Sequence, residues 1–450
     1  MSATITPAAR RYSLQKVFCW LLLLGLFLLL TRIGVRHYFR EEAVKAGTLP
    51  VTVGRVIALW TIALLLLQPI LAARLRVLDR IFGLDRLLRF HRLAGILSLS
   101  MACFHPLLMY VSGLKKLGPL SSEQWPEAIG SICIVGLWLA VVSSVWRRFV
   151  SLNYEQWLRL HKFTAPVVVL ALAHMFIIES AMLKGWVLGF WVVLLVLWAA
   201  VLLASRIVFP AQRARNEAFV VAESARVAEG VWQLNLKPDA GVERFDFVPG
   251  QFAFLAIKSP EIPFEEHPFT IASAPADAGN LQFIIKGDGD WTRKLSAVRA
   301  GDQARVSGPF GVFSAYRHEP RSLVMIAGGI GITPMLSTLR QLSREKAALP
   351  VKLIWSFQTR AGAPCIDEID GFRQALPNLE VIKIATREPA IGNSAPTRLD
   401  KLTLAKLLPE FKPGDLVMLC GPVPMMREVR HILQSLNYPD SAVLSEEFAL

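Results

Sequence analysis

"HRLAGILSLSMACFH" occupies residues 91–105. Arg92 is its one charged residue, and everything else between the two histidines is apolar or small. Histidine is costly and rare inside a membrane helix, so two in one apolar run require an explanation. Apolar stretches lie near 16–34, 52–73, 90–112, 129–147, 160–180 and 186–208. Each approaches the roughly 20 residues of a spanning helix. The fifth is interrupted by Pro166. The first is read as a span and not a cleaved leader, because no small-residue cleavage site precedes "TRIGVRHYFREE".

The 450 residues are 53% hydrophobic, above the soluble average. The excess sits in about the first 210 residues, and the remainder has the composition of a soluble α/β protein. The net charge of +14 flanks the spans. Arg10, Arg11 and Lys16 precede the first span. Arg74, Arg76, Arg80, Arg86 and Arg89 lie between the second and third, Arg147 and Arg148 after the fourth, and Arg213 and Arg215 after the sixth. Lys115 and Lys116 are balanced by Glu123 and Glu127, whereas Arg32, Arg36 and Arg40 run against the pattern. The positive-inside rule then puts both termini and the soluble half in the cytoplasm. Charges distributed in this way argue against nucleic-acid binding. The five cysteines include no C-x-x-C pair, so the sequence offers no ligand set for zinc or iron–sulfur and no disulfide framework.

A second pair, His161 and His174, lies in the fifth span. Spans three and five run in the same direction, so His91 pairs in depth with His161, and His105 with His174. Two facing imidazoles at each of two levels are what two bis-histidine haems require. Fourteen residues leave His91 and His105 about 40° apart around an ideal helix, whereas thirteen leave His161 and His174 about 140° apart. A break at Pro166 is needed to bring the second pair round. The alternative is that each histidine hydrogen-bonds a neighbouring helix. Arg55, near the outer end of span two, has two readings: a cation beside a haem propionate or acceptor, or a side chain reaching the interface.

Beyond residue 213 the pattern changes. "FVVAESARV", "GVWQLNL", "QFAFLAI" and "LQFIIK" alternate as antiparallel barrel strands do. From about 321, "SLVMIA", "VKLIWSF", "LEVIKIA" and "DLVMLCG" alternate with helical stretches, which predicts βαβ units around a parallel sheet. Four stretches carry chemistry. "HPFTIAS" (267–273) offers a ring and a hydroxyl at a strand end. "KGDGDWTRKL" (286–295) places Thr292 at a helix start, a seat for phosphate. "AGGIGITP" (327–334) is a strand-to-helix loop fit for a dinucleotide pyrophosphate. "LCGPVPMM" (419–426) ends another parallel strand.

Together, the paired histidines, "HPFTIAS", "GDWT", "GPFG" (308–311), "GGIGITP" and "CGP" resemble the ferric reductase and NADPH oxidase superfamily over nearly the full length. The resemblance implies a six-helix haem-binding transmembrane domain (14–209), an antiparallel β-barrel FAD domain (213–318) and an α/β NAD(P)-binding domain (320–450). It makes His91, His105, His161 and His174 the axial ligands of two b-type haems. Phe269 and Thr270 would flank the isoalloxazine and Thr292 would hold FAD phosphate, with His267, Pro268, Ser273, Gly289 and Trp291 in the same site. Gly328, Gly329, Gly331, Thr333 and Pro334 would cradle the nicotinamide dinucleotide, beside Gly421 and Pro422. Cys420 would approach the nicotinamide, or be a small buried thiol. Phe448 would stack on the flavin, although here Ala449 and Leu450 follow it.

The strand "VKLIWSFQTR" ends near Arg360 with no carboxylate close in sequence, which favours NADPH over NADH. The expected activity is electron passage from cytoplasmic NAD(P)H through FAD and two haems to ferric iron or O₂ outside. The expected partners are the bilayer and a small acceptor, with no obligate protein partner, and the site an inner or plasma membrane. No calcium-binding loop or recruiting tail is visible, which points to constitutive activity. Two alternatives remain: a cytochrome serving quinone or a periplasmic protein, and a membrane-anchored flavin reductase without haem.

Overall fold

A computed structural model describes residues 7–41, 48–112, 125–146, 154–178, 180–208, 217–239, 245–277, 279–388 and 398–446. The chain divides into two compact units. One comprises Leu14–Leu78 and Arg86–Val208. The other holds Met1–Ser13, the short segment Asp79–Asp85 and Phe209–Leu450.

The first unit is helical. Six stretches are long and apolar enough to cross a membrane: Leu14–Val35, Leu49–Ala72, Leu84–Val111, Trp125–Val145, Gln156–Ile178 and Gly185–Leu203. They coincide with the six predicted from composition. Their buried side is small, with Leu30, Leu65, Leu137, Val168 and Trp191 in one cluster. Leucines, valines and tryptophans elsewhere on the spans face outward, as Leu21, Trp138 and Val196 do. An apolar exterior of this extent needs lipid around it.

The helices in order are α1 (Pro7–Glu41), α2 (Thr48–Ala72), α3 (Arg76–Phe82), α4 (Leu84–Val111), α5 (Trp125–Val145), α6 (Tyr154–Lys162), α7 (Thr164–Ile178) and α8 (Gly185–Leu203). The fifth span is therefore two helices, α6 and α7, with a turn at Phe163. The break falls three residues before Pro166. Proline at the third position of α7 has no N–H to donate and clashes with a carbonyl four residues back, so the ladder stops and restarts. Thr164 Oγ1 donates to the His161 carbonyl at 2.8 Å across the break.

The second unit contains two sheets. The antiparallel one comprises β1 (Ala218–Ala228), β2 (Val231–Pro238), β3 (Phe252–Lys258), β4 (His267–Thr270), β5 (Leu281–Lys286) and β6 (Gln303–Phe310), in the order β4-β3-β6-β1-β2-β5. Alternate residues face one core: Phe219 and Val221, Leu234 and Leu236, Leu255 and Ile257, Phe283 and Ile285. That is the period-two pattern of a sheet with one buried face. The parallel sheet has β7 (Ser322–Gly328), β8 (Val351–Phe357), β9 (Leu379–Ala385), β10 (Asp415–Cys420) and β11 (Val443–Ser445), in the order β11-β10-β7-β8-β9. Helices α9 (Thr333–Glu345), α10 (Ile366–Ala375), α11 (Lys401–Leu407) and α12 (Val423–Ser435) connect these strands. The sheet buries both faces, one core containing Met325, Leu339 and Trp355 and the other Ile326, Ile354 and Leu433. This is why its strands read as continuous apolar runs.

Candidate functional site

In the membrane unit the break between α6 and α7 changes the phase of the two histidines that an ideal helix would splay apart. The His91 and His161 rings lie 6.0 Å apart, centroid to centroid, and are inclined by 69°. His91 Nδ1 lies 3.2 Å from the Gln68 backbone carbonyl, and His161 Nδ1 lies 3.4 Å from Ser144 Oγ. Trp157 stacks on His161 at 5.1 Å and donates its Nε1 hydrogen to Ser144 Oγ at 3.1 Å. At the other level, His105 Nδ1 is 2.9 Å from the Gly54 carbonyl. His174 Nδ1 is 2.8 Å from the Pro126 carbonyl. An imidazole whose Nδ1–H donates to a carbonyl presents Nε2 as a lone-pair ligand. A Cβ on Gly130 would come within 2.8 Å of the His174 ring, so glycine makes room for that imidazole. Arg55 follows Gly54, the residue whose carbonyl orients His105.

In the soluble unit β4 carries "HPFT" at the sheet edge, paired with β3 through Phe252↔Thr270, Ala253↔Phe269, Phe254↔Pro268 and Leu255↔His267. Its outer side is therefore not in the ladder. The "GDWT" stretch joins it through Trp291, whose ring lies 4.7 Å from His267 and 5.8 Å from Phe269. Trp291 is buried and donates its Nε1 hydrogen to the Pro263 carbonyl at 3.0 Å. Thr292 opens a 3₁₀ turn, Thr292–Ala297, instead of an α-helix. Its hydroxyl accepts from the Gly289 amide at 2.8 Å, so it shapes the Gly289 turn directly. Thr270 and Ser273 are buried. Ser273 Oγ accepts from the Gln282 amide at 3.1 Å. Phe448 lies outside the described residues.

The nucleotide motifs meet at the carboxyl ends of β7 and β10, adjacent parallel strands in which Cys420 faces Ala327. Chain order reverses between these two strands, which is where open α/β sheets bind ligands. The glycines there are steric necessities. A Cβ on Gly331 would lie 2.5 Å from the Cys420 carbonyl oxygen, one on Gly421 3.0 Å from Gly328 Cα, and one on Gly328 2.8 Å from Pro422 Cδ. The two loops thus interlock backbone to backbone. Gly329, at φ +52°, has open space where its Cβ would be. Thr333 and Pro334 open α9 and are buried. Cys420 is fully buried, and burial pushes its thiol well above its ordinary value. Its thiol therefore belongs to the core, and its carbonyl is what meets the glycine loop.

In space, though not in sequence, Arg360 has a carboxylate nearby: its amide donates to Glu388 Oε1 at 2.7 Å. Glu388 follows β9, and the parallel neighbours β8 and β9 end together. The 28-residue separation hid this in sequence.

Other residues of the site carried no motif. Trp355 is buried and donates its Nε1 hydrogen to the Gly329 carbonyl at 3.0 Å. Ser337 Oγ donates to the Ser273 carbonyl at 2.8 Å. Arg340 Nη1 donates to the Ala272 carbonyl at 2.8 Å. These bonds tie α9 to the chain just after "HPFT". The signal available in sequence was a charge on the inward face of α9, three residues from Ser337. Glu446 is also buried, its Oε2 has no partner among the described residues, and burial raises its carboxyl well above the usual range.

Residues 57–172 match the ferric reductase like transmembrane component, 227–307 an FAD-binding domain and 325–431 an oxidoreductase NAD-binding domain. The chain belongs to the ferric reductase and NADPH oxidase superfamily. A heavy chain of the superoxide-generating NADPH oxidase of Dictyostelium discoideum is 30% identical over 250 residues, covering 49% of this chain and 33% of that protein. The reductase component of propane 2-monooxygenase from Mycolicibacterium goodii is 26% identical over 246 residues, 53% of this chain and 68% of that one. The chain thus spans from a third to about two thirds of these relatives. The flavohemoglobin of Malassezia yamatoensis aligns with a TM-score of 0.51 at 20% identity, covering 90% of this chain and 100% of that one, a likeness of fold alone. This superfamily member is a membrane NAD(P)H-dependent oxidoreductase with flavin- and nucleotide-binding domains.

Proposed function

We propose that the protein is a transmembrane flavocytochrome. It would oxidise cytoplasmic NAD(P)H and deliver electrons singly to ferric iron or O₂ on the opposite side, with both termini cytoplasmic. The observation that carries this reading is the separation of the His91 and His161 rings, 6.0 Å between centroids. Histidine nitrogens sit about 2 Å from a bound metal, and a ring centroid lies about an ångström behind its nitrogen. An iron held between two imidazoles therefore needs a centroid separation of about 6 Å. The Nδ1 contacts of His105 and His174 with the Gly54 and Pro126 carbonyls supply the orientation that an axial ligand needs.

When bound, a flavin supplies the conversion of a hydride into single electrons, and haems supply sites for those electrons within an apolar interior. The chain contributes placement. Phe269 and Thr270, on an edge strand, offer an unpaired backbone side and a ring to an isoalloxazine. Gly289 and Thr292 shape the turn beneath its phosphate. The open space at Gly329, beside the interlocked Gly328, Gly331 and Gly421, fits a pyrophosphate that must approach the backbone closely. Arg360 offers a cation to a 2′-phosphate and Glu388 a carboxylate to a free ribose, so both nicotinamide dinucleotides have a recognition group. Arg55 would steady charge near the outer histidine pair.

The test is an anaerobic visible spectrum of the purified chain before and after NADPH, then after ferric citrate or air. Two b-type haems per chain, reduced by NADPH and reoxidised by one acceptor, are expected. A flavin spectrum without haem overturns the reading and leaves a membrane-anchored flavin reductase.

A further inference from the structure

Asp79 is a carboxylate on α3, the short helix between the second and third spans, and it is 1% exposed. It is also one of the residues Asp79–Asp85 that belong to the soluble unit. Its Oδ1 and Oδ2 lie 3.2 and 3.1 Å from the Gly311 amide, which donates to them. Oδ1 also accepts from the Leu84 amide at 2.8 Å. A buried carboxylate persists where backbone N–H groups surround it in this way. Around it, Arg317 Nη1 donates to the Arg80 carbonyl at 3.2 Å. Gln251 Nε2 donates to the Gly311 carbonyl at 3.1 Å. Gly311, at φ +97°, therefore has its amide held by Asp79 and its carbonyl by Gln251.

The two amides have different destinations. Gly311 directly follows β6, whose last residue Phe310 pairs with Phe252 on β3. Phe252 also pairs with Thr270 of the flavin motif. Leu84 is the first residue of α4, and His91 lies seven residues along it, about 10 Å of helix rise. One side chain thus fixes the turn beside the flavin strand and the start of the helix that carries a histidine of the inner pair.

We propose that Asp79 is a positioning residue for electron passage from the flavin to the His91–His161 level. This inference rests on the flavocytochrome reading. It predicts that loss of the Asp79 carboxylate slows haem reduction while leaving hydride transfer into the flavin intact, because the nucleotide loops at β7 and β10 use none of these bonds.

The experiment uses the full chain in nanodiscs, as wild type, Asp79→Asn and Asp79→Ala. FAD and haem content are measured first. Anaerobic stopped-flow mixing with NADPH then follows flavin bleaching and haem reduction separately, and hydrogen exchange follows the peptide containing Gly311. The expected result for Asp79→Ala is haem reduction slower by about tenfold or more, flavin bleaching within about twofold of wild type, and faster exchange at Gly311. Asp79→Asn, which keeps one acceptor oxygen, falls between. Unchanged haem reduction despite faster Gly311 exchange overturns the proposal and leaves Asp79 a purely structural group. Haem reduction that falls only in proportion to lost FAD also overturns it, since the role is then flavin retention; Asp79→Asn decides this if Asp79→Ala does not fold. A wild-type chain without haem defeats the parent reading instead, and the haem-content measurement identifies that case at the outset.

Discussion

Arg340 grips Glu368 with two prongs, Nε to Oε1 and Nη2 to Oε2, both at 2.7 Å. Arg340 is 13% exposed and Glu368 37%. The remaining arm, Nη1, reaches the Ala272 carbonyl at 2.8 Å and the Gln282 amide oxygen. One guanidinium therefore joins α9 and α10 of the nucleotide sheet to the segment that leaves the flavin motif. Planar, two-pronged geometry of this kind is specific to arginine.

Arg340→Met should loosen that joint. Removing a partly buried charge-assisted network costs about 1–3 kcal/mol, at the low end here because Glu368 keeps some access to water. Thermal unfolding followed by flavin fluorescence should show a fall of about 2–4 °C per kcal/mol lost. The double variant with Glu368→Gln should lose less than the sum of the single ones.

Gly331→Ala places a methyl 2.5 Å from the Cys420 carbonyl oxygen, a backbone atom that cannot step aside cheaply. Overpacking of this kind costs about 1–3 kcal/mol, which corresponds to a rise of roughly 5- to 150-fold in KM for the dinucleotide if the cost falls on the binding-competent loop. FAD content should not change. Gly329→Ala is the contrast: its methyl meets no protein atom, so the fold bears only the positive φ, about 1–2 kcal/mol, and the rise in KM comes from a methyl in the space proposed for the pyrophosphate. Steady-state reduction of an artificial dye by the full chain separates the two.

Gly130→Ala drives a methyl to 2.8 Å from the His174 ring. One of the two proposed haems should then change its low-spin paramagnetic resonance signal or be lost, while the signal assigned to the His91–His161 pair persists. Both signals remaining unchanged would count against His174 as an axial ligand.

Burial, then the neighbouring carboxylates Asp85 and Asp79, hold the Glu446 carboxyl well above its ordinary value of 4.5. Burial likewise raises Asp79 above 3.8, against the opposing pull of the Gly311 and Leu84 amides. A carboxyl with a raised folded value binds more protons folded than unfolded as pH climbs past the ordinary value, so stability falls with rising pH across that window. Glu446→Gln should flatten the dependence of Tm on pH between about 5 and 8 and raise Tm at the upper end. A steeper dependence in the variant would refute the assignment.

Legibility followed range. The six spans, the alternating strands and the βαβ order were visible because each rests on composition or periodicity over a few turns or residues. The glycine motifs were visible for the same reason, although why Gly331 must be glycine depends on Cys420, 89 positions away in sequence. The fifth span shows the limit. Pro166 announced a break, but only the fold places it at Phe163 and brings His161 to within 6.0 Å of His91. Thr292 shows another, since its hydroxyl turned back to Gly289 where a helix start was expected.

The sequence by itself determined the membrane half, the order of the domains and the motifs proposed to serve haem, flavin and dinucleotide, because hydrophobic length and loop chemistry are local properties. The tertiary structure alone decided which distant groups meet. Asp79 and Gly311 are 232 residues apart, Arg340 and Gln282 58, and Arg360 and Glu388 28. Such pairs leave no periodic trace. They arise when strands and helices, each placed by its own apolar face, bring polar groups from distant segments within hydrogen-bond reach.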